Sequence, residues 1–573
     1  MSSKIHPACL SIILLFTFSV STAQDVQLDW AYTFHGSGGP SFGSSVVTDS
    51  LGNSYSVGGF SGTVDFDPGP DSSFLTSYVT SKYILKLDPV GNFLWAKRID
   101  GQTVNALTLD VSGNLVLAGN YGGYNDFDPG EDTLSFSSLS WDAFVLKLSP
   151  LGDFIWAKTF GGFGADIILS MESDDLGNIY TTGTFIGTAD FDPSTEVDEH
   201  SAYNWDPFYP KTDLFISKLD SDGEFVWAKA IGGPYDDQGS SIAVDGSGNS
   251  YITGFYYDTV DFDPNAGVNN QTASITNNAP RKEVFVMKLN TLGNLEWVNS
   301  IGDVASDEGR SVALDNSGDL LVFGSFFGTV NLDFGPGVHE VTSTGNYDGF
   351  ILKLNEFGEL IWAAHNIPEE SAVDIDPDGN MYLLGSFSGT VDFDPGPDSL
   401  ILSSNTSYPF LYVQKIKPLG GLEWVVTFQH TLNAWQTGSA IEIDQVGNIF
   451  LTGGFLHTID FDPGPDSLIY TTNLPAAFIL KLVPDSYIGI ESRVTSKNIG
   501  VYPNPSSGLV NIEFQKPMSG FVEIKSYQGQ LLETITLENA SILSTNLNGT
   551  SGPYIISIHN MDGEVEVLTV IKH

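Results

Sequence analysis

Asp65-Phe66-Asp67-Pro68 recurs seven times along the 573-residue chain, beginning at Asp65, Asp126, Asp190, Asp261, Asn331, Asp392 and Asp460. The fifth copy is degenerate and reads Asn331-Leu332-Asp333-Phe334-Gly335-Pro336. Three further landmarks keep step with it. One is a turn glycine: Gly52, Gly113, Gly177, Gly248, Gly318, Gly379 and Gly447. Another is a lysine in an apolar run: Lys86, Lys147, Lys218, Lys288, Lys353, Lys415 and Lys481. The last is a tryptophan: Trp30, Trp95, Trp156, Trp227, Trp297, Trp362 and Trp424. Repeats of this length set the architecture before any local reading does.

The spacings separate rigid from variable parts. Turn glycine to motif is 13 residues in all seven copies, and lysine to the next tryptophan is 9 in all six measurable cases. Motif proline to lysine varies from 17 to 25, and tryptophan to the next glycine from 17 to 23. Each unit reads as four short strands, A to D. A precedes the glycine turn, B follows it, C carries the lysine and D the tryptophan. Alternation, β-branched and aromatic residues, and Gly-Asn or Asp-Gly turns favour strands, and no window has a helical period. In an up-and-down sheet, the A–B and C–D connections share one end. Nearly all length variation therefore falls on the B–C and D–A end, as expected of a rigid scaffold with an adaptable loop face.

The chain enters the repeats with a lone D strand at Trp30 and leaves them with a C strand at Lys481. Seven complete units exist only if Trp30 completes the last one, which closes a ring and removes its open edges. The expectation is an all-β chain: a seven-bladed β-propeller over residues 26–484, closed by the N-terminal strand, then a small C-terminal β-sandwich. The landmark residues Gly248, Asn249, Tyr251, Gly183, Phe185, Asp261 to Pro264, Phe285, Lys288, Leu289 and Trp227 resemble the bacterial seven-bladed β-propeller repeat family. That resemblance implies a surface or secreted protein and a fold more than an activity.

A group present in seven copies serves structure, since a catalytic group is needed once. The tryptophans are expected to pack between blades or strands, each burying about 150–250 Å². A lysine in an apolar strand needs a partner, and the Asp motif is the expected one. Asp65, Asp67 and Asp71 also resemble the opening of a calcium loop. Gly69 and Thr76 stand where further oxygen ligands belong, so the motif reads first as a strand terminus and only weakly as a calcium site. No other cofactor is expected. The better binding candidates are unrepeated residues of the loop face: Trp141, Tyr203, Trp205, Tyr209, Asp236, Asp237 and Trp435. Exposed aromatics beside acids suit glycan or protein contacts.

Seventy acids against 23 Lys and Arg give a net charge of −47, which repels nucleic acid and anionic membrane. No nucleophile elbow, His-Glu-x-x-His, P-loop or dinucleotide fingerprint is present. The expectation is a non-enzymatic, monomeric binding or structural module. The alternative is a polysaccharide hydrolase or lyase using the loop face.

Both ends concern export. Lys4, the apolar run from Leu10 to Val20 and Ser21-Thr22-Ala23 read as a signal peptide over 1–23, cleaved at Ala23. The lone Cys9 lies within it, so the mature chain is expected to lack thiol chemistry. No later segment is apolar enough to span a membrane. A polar linker over 485–497 precedes a C-terminal domain over 498–573. Pro503, Asn504, Pro505, Gly508, Gly552, Tyr554 and Lys572 make this domain similar to the type IX secretion sorting domain. The resemblance implies passage through the periplasm and the type IX machinery, followed by removal of the domain and release or surface attachment.

Overall fold

The computed structural model describes residues 26–203, 208–276, 279–302, 305–335, 337–343, 347–368, 370–396, 398–404, 408–430, 434–464 and 466–484. Beyond these it describes the strand segments 494–496, 499–502, 509–526, 531–546, 552–560 and 565–572. The signal peptide, Ala23, Trp205, Pro503, Asn504, Pro505 and Gly508 lie outside the described residues, as does most of the linker. All regular structure described is β-strand. The chain divides into two compact units, Leu28–Val483 and one built on Pro484–His573.

The larger unit holds seven antiparallel sheets of four main strands, successive in the chain in all but the last. We number them in chain order: unit 1 (residues 41–100), unit 2 (102–162), unit 3 (167–231), unit 4 (238–301), unit 5 (308–367), unit 6 (370–428) and unit 7 (435–484). In unit 1, Ser41–Thr48, Ser54–Asp65, Phe74–Leu87 and Phe93–Asp100 are strands A to D. Unit 7 contributes only three strands from its own stretch. Its fourth is Val26–Phe34, beside Ile469–Pro484. Each strand A lies beside the strands A of the units before and after, and that of unit 7 lies beside that of unit 1.

The core lies between sheets. One apolar cluster joins units 1 and 2 through Tyr55, Val57, Leu115 and Phe144. Another joins the last unit to the first through Trp30, Phe34, Phe60, Tyr83, Phe450 and Ile479. At the A–B and C–D end, glycine makes the tight turns possible. Gly113 has φ +76°, where a side chain is strained. Gly152, at φ +79°, has a second constraint: an added Cβ would sit 3.2 Å from the Trp95 ring of the preceding unit. The tryptophans thus pack between units, as expected.

Lys86, Lys147, Lys218, Lys288 and Lys481 are buried and Lys353 and Lys415 partly so, but the partner differs from the one expected. Lys147 Nζ lies 2.7 Å from Asp110, Lys353 2.7 Å from Asp315 and Lys86 3.6 Å from Asp49. These aspartates stand three residues before the turn glycine, not in the Asp motif. Tyr55 pairs with Lys86 at one end of the hairpin, while Asp65 pairs with Phe74 at the other. Ten residues of strand separate them, roughly 30 Å if extended. Each turn aspartate also gathers its own turn. Asp110 Oδ1 accepts N–H bonds from Ser112 at 2.8 Å and Asn114 at 2.9 Å, while Asn114 donates to Oδ2 at 2.9 Å. The lysine then reaches the next unit, since Lys147 donates to the Ser221 carbonyl at 2.9 Å. Lys481 of unit 7 donates to the Pro89 carbonyl of unit 1 at 2.9 Å, and lies 3.0 Å from Asp29 of the N-terminal strand.

The C-terminal unit departs from the small sandwich expected. Its strands form one antiparallel sheet of six. Its longest strand is Leu509–Ser526. Its pairing with Leu531–Asn546 loses register between Glu513 and Gly520, a stretch containing Pro517, which has no N–H to donate. Val510, Ile512, Val522 and Ile524, from both sides of the break, share one core. Gly552, Tyr554 and Lys572 lie on its last two strands, where Gly552 pairs with Lys572.

Replacing Lys147 with Ala leaves Asp110 buried without its cation. We expect a loss of about 3–5 kcal/mol, the usual cost of breaking a buried pair from one side. Urea unfolding of the larger unit measures it, and a loss below about 1 kcal/mol would remove the pair from the forces that hold the sheets.

Candidate functional site

The expected binding residues lie at the B–C and D–A end of the larger unit, but at three different junctions. Trp141, half exposed, lies on strand C of unit 2, and its carbonyl accepts the N–H of Asp166, the residue just before unit 3, at 2.7 Å. Tyr203 and Tyr209 are exposed on the unit 3 insertion. The Tyr203 N–H donates to Asp213 at 2.7 Å, and Asp236 accepts from Lys211 and from the Thr212 N–H, both at 3.2 Å. Trp435, partly buried, meets Phe42 of unit 1 edge-on at 6.1 Å between ring centroids.

Asp237 is a correction. It is fully buried and accepts N–H bonds from Gly233 at 2.6 Å and Tyr257 at 2.9 Å. Its carboxylate ties the end of one sheet to the start of the next and offers nothing to a ligand. It also has a buried carboxyl neighbour in Asp213. Burial, with Asp213 and Asp236 nearby, pushes Asp237 up to about 8. Burial also lifts Asp213 to about 7, against the N–H of Tyr203. The preceding junction repeats the arrangement: burial raises Asp166 to about 7, opposed by the Gly162 N–H and helped by Asp142. Such pairs were missed in the sequence, yet a signal existed. An acid stands five residues before the repeat lysine at Asp142, Asp213 and Glu283, and eight before the turn aspartate at Asp166, Asp237 and Asp307.

A second acidic group lines a cavity of about 310 Å³ between the strands A. Asp374 and Glu442 line it, with no Lys, Arg or His among the lining residues. Their carboxylates link successive strands A: Asp374 accepts the Ile443 N–H at 2.6 Å, and Glu442 accepts the Thr48 N–H at 3.0 Å. Burial raises Asp374 to about 7, with Glu172 among the neighbours that add to the rise. Burial and Asp374 together raise Glu442.

The Asp motif caps its own turn. Asp65 accepts N–H bonds from Asp67 at 3.2 Å and Ser73 at 2.8 Å, and Asp67 accepts from Gly69 at 2.7 Å. Phe66 is fully buried and packs against Tyr83 at 4.6 Å. Among the described residues, no three His, Cys, Asp or Glu side chains are grouped to hold a metal ion together.

Residues 500–572 match the secretion system C-terminal sorting domain, and residues 226–254 match the beta-propeller repeat. The chain therefore carries a type IX sorting tail, which marks it for export to the cell surface or beyond. An uncharacterized WD repeat-containing protein of Acanthamoeba polyphaga mimivirus is 24% identical over 468 residues, covering 68% of this chain and 33% of that protein. Regulatory protein FlaEY of Caulobacter vibrioides is 24% identical over 260 residues, covering 45% of this chain and 26% of its own length. The chain thus spans about a third and about a quarter of these two relatives. A solved protein of unknown function from Bacteroides caccae overlays with a TM-score of 0.30 at 11% identity, over 60% of this chain and 89% of that one. Among the described residues no helix is long and apolar enough to cross a membrane.

The buried acids make stability depend on pH. Asp166, Asp213 and Asp374 near 7 and Asp237 near 8 hold protons that the unfolded chain, titrating near 4, has released. Stability is then fullest below about pH 4 for these groups and falls as pH rises from about 4 to about 8. Melting of the larger unit should be lower at pH 8 than at pH 5, and Asp213→Asn should reduce the difference. Calorimetry across that range checks it, and a flat or rising profile would contradict it.

Proposed function

We propose that the chain is a secreted or cell-surface β-propeller of seven blades, closed by its N-terminal strand, that binds through its loop face and catalyses no reaction. The sorting tail supports the destination. The pairing of Val26–Phe34 with Ile469–Pro484, and the reach of Lys481 to the Pro89 carbonyl, support closure. The observation that carries the binding reading is a contrast at one end of the sheets. There the aromatics are exposed: Tyr78, Trp141, Phe163, Tyr203, Phe208, Tyr209 and Tyr347. The acid pairs beneath them are sealed, with Asp166 and Asp237 fully buried and Asp213 at 3% exposure. A general acid must reach its substrate, so these carboxyls suit proton storage inside the scaffold. Exposed aromatic rings suit contact with a partner or glycan.

Removing residues 26–34 takes away the fourth strand of the last sheet. Closure predicts a large fall in melting temperature, with the strand restored by a peptide of that sequence added in trans. No change in melting would instead favour an open array.

For export, a chain ending at Pro484 should stay in the periplasm of a type IX-secreting host while the full chain reaches the surface. For binding, the full chain is screened on glycan and surface-protein arrays, with calcium and with chelator, beside the Trp141→Ala and Tyr209→Ala variants. A ligand whose capture these substitutions weaken supports the loop face. Turnover of a polysaccharide in the same samples would overturn the non-enzymatic reading. Calcium-dependent capture that is lost on replacing Asp67 and Asp71 would assign the corner at Asp65 as a calcium site.

A further inference from the structure

The D–A connections differ in length, and the shortest leave clefts. From repeat tryptophan to turn glycine is 17 residues between units 5 and 6 and 18 between units 1 and 2, against 21 to 23 elsewhere. A cleft of about 670 Å³ lies at the first of these junctions and one of about 490 Å³ at the second. Both are within the range of small-ligand pockets, about 300–1,000 Å³. At the position where units 3, 4 and 5 place a buried acid (Asp166, Asp237 and Asp307), unit 6 has Pro368, which lines the larger cleft.

The two clefts differ in chemistry. The smaller is lined by Lys97 and Arg98 as well as acids, and Arg98 is paired with Asp100 at 3.0 Å. The larger has no Lys, Arg or His in its lining. Its wall carries Tyr347, 55% exposed and packed against Phe327 at 5.8 Å between centroids. The same cleft is lined by Asp392, Asp394 and Asp398 and by the exposed Ser386 and Ser388. Against desolvation, the N–H groups of Asp394 at 3.1 Å and Leu400 at 2.8 Å hold the Asp392 carboxyl below its usual range. It is thus an acceptor at neutral pH.

We propose that this cleft binds an uncharged sugar unit of a glycan, stacked on Tyr347 with its hydroxyls donating to the carboxylates. The proposal rests on the loop-face binding reading and deepens it. Charge excludes uronates, sulfates and phosphates, which would enter a cavity of one sign with no cation to meet them. Spacing disfavours a metal ion, since no three acids among the described residues are grouped to hold one. A lone ammonium satisfies one or two acceptors and leaves the rest unpaired. A sugar ring carries several O–H donors on one edge and C–H groups on one face. Separated acceptors beside an aromatic ring match both.

The test is calorimetry on the full chain with neutral gluco-, manno-, xylo- and galacto-oligosaccharides, with oligogalacturonate and with oligolysine. A neutral oligosaccharide should bind, and Tyr347→Ala and Asp398→Asn, both at exposed positions, should each weaken it at least tenfold. Trp141→Ala, at another junction, should not. Neutral sugar binding that neither cleft variant moves, or oligolysine binding that Tyr347→Ala abolishes without any sugar binding, overturns the proposal. If Trp141→Ala or Tyr209→Ala weakens a ligand that Tyr347→Ala leaves alone, the cleft falls and the loop-face reading stands. If no ligand of any class binds here or on the arrays, both fall.

Discussion

Lys147 places an ammonium in an apolar strand, 2.7 Å from Asp110 and 2.9 Å from a carbonyl of the next sheet. Burying that charge is costly unless every donor finds an acceptor. The demand therefore fixes several things together. The A–B turn must present its aspartate, and the neighbouring C–D turn must bring its carbonyl close. Trp95 and Lys86 converge on one such carbonyl, that of Pro150, at 3.3 and 3.2 Å. Two rigid turns and one cation thus join adjacent sheets, and the two invariant spacings both start from or contain those turns.

The same logic explains where the sheets are free to vary. Beyond the lysine, strands B and C run on into a ribbon that ends at the Asp motif. Aspartate caps the turn with its own backbone, and a buried phenylalanine anchors it. Insertions can lengthen the ribbon or the D–A connection without disturbing the clamp. The exposed aromatics, and the clefts left by short connections, are products of that freedom.

Charge is divided in a related way. The net charge is −47, yet Asp166, Asp213 and Asp237 are sealed between sheets and Asp374 lines the cavity between the strands A. These carboxyls accept backbone N–H groups at strand ends and keep their protons through burial. Asp166, Asp213 and Asp237 look like an enzyme's acid pairs in composition, yet they are closed to solvent. In the sequence only their place in the repeat marks them, five residues before the lysine or eight before the turn aspartate, because nothing in the local residues distinguishes a sealed carboxylate from a solvated one.

Strand order, the seven units, the constant end and the lone tryptophan strand at the start were all legible in the chain. Each is a matter of period and spacing, which local backbone geometry turns directly into strands and turns. The sorting tail was legible too, as a motif. The partner of the repeat lysine was not, although an aspartate stood three residues before every turn glycine. Two acids competed for the role, and only the distance between hairpin ends decided between them. Asp237 looked like a surface ligand and proved to be a buried tie. Burial, and which residues from different units meet at a junction, depend on how sheets stack, and that is a property of the whole chain that no single segment carries.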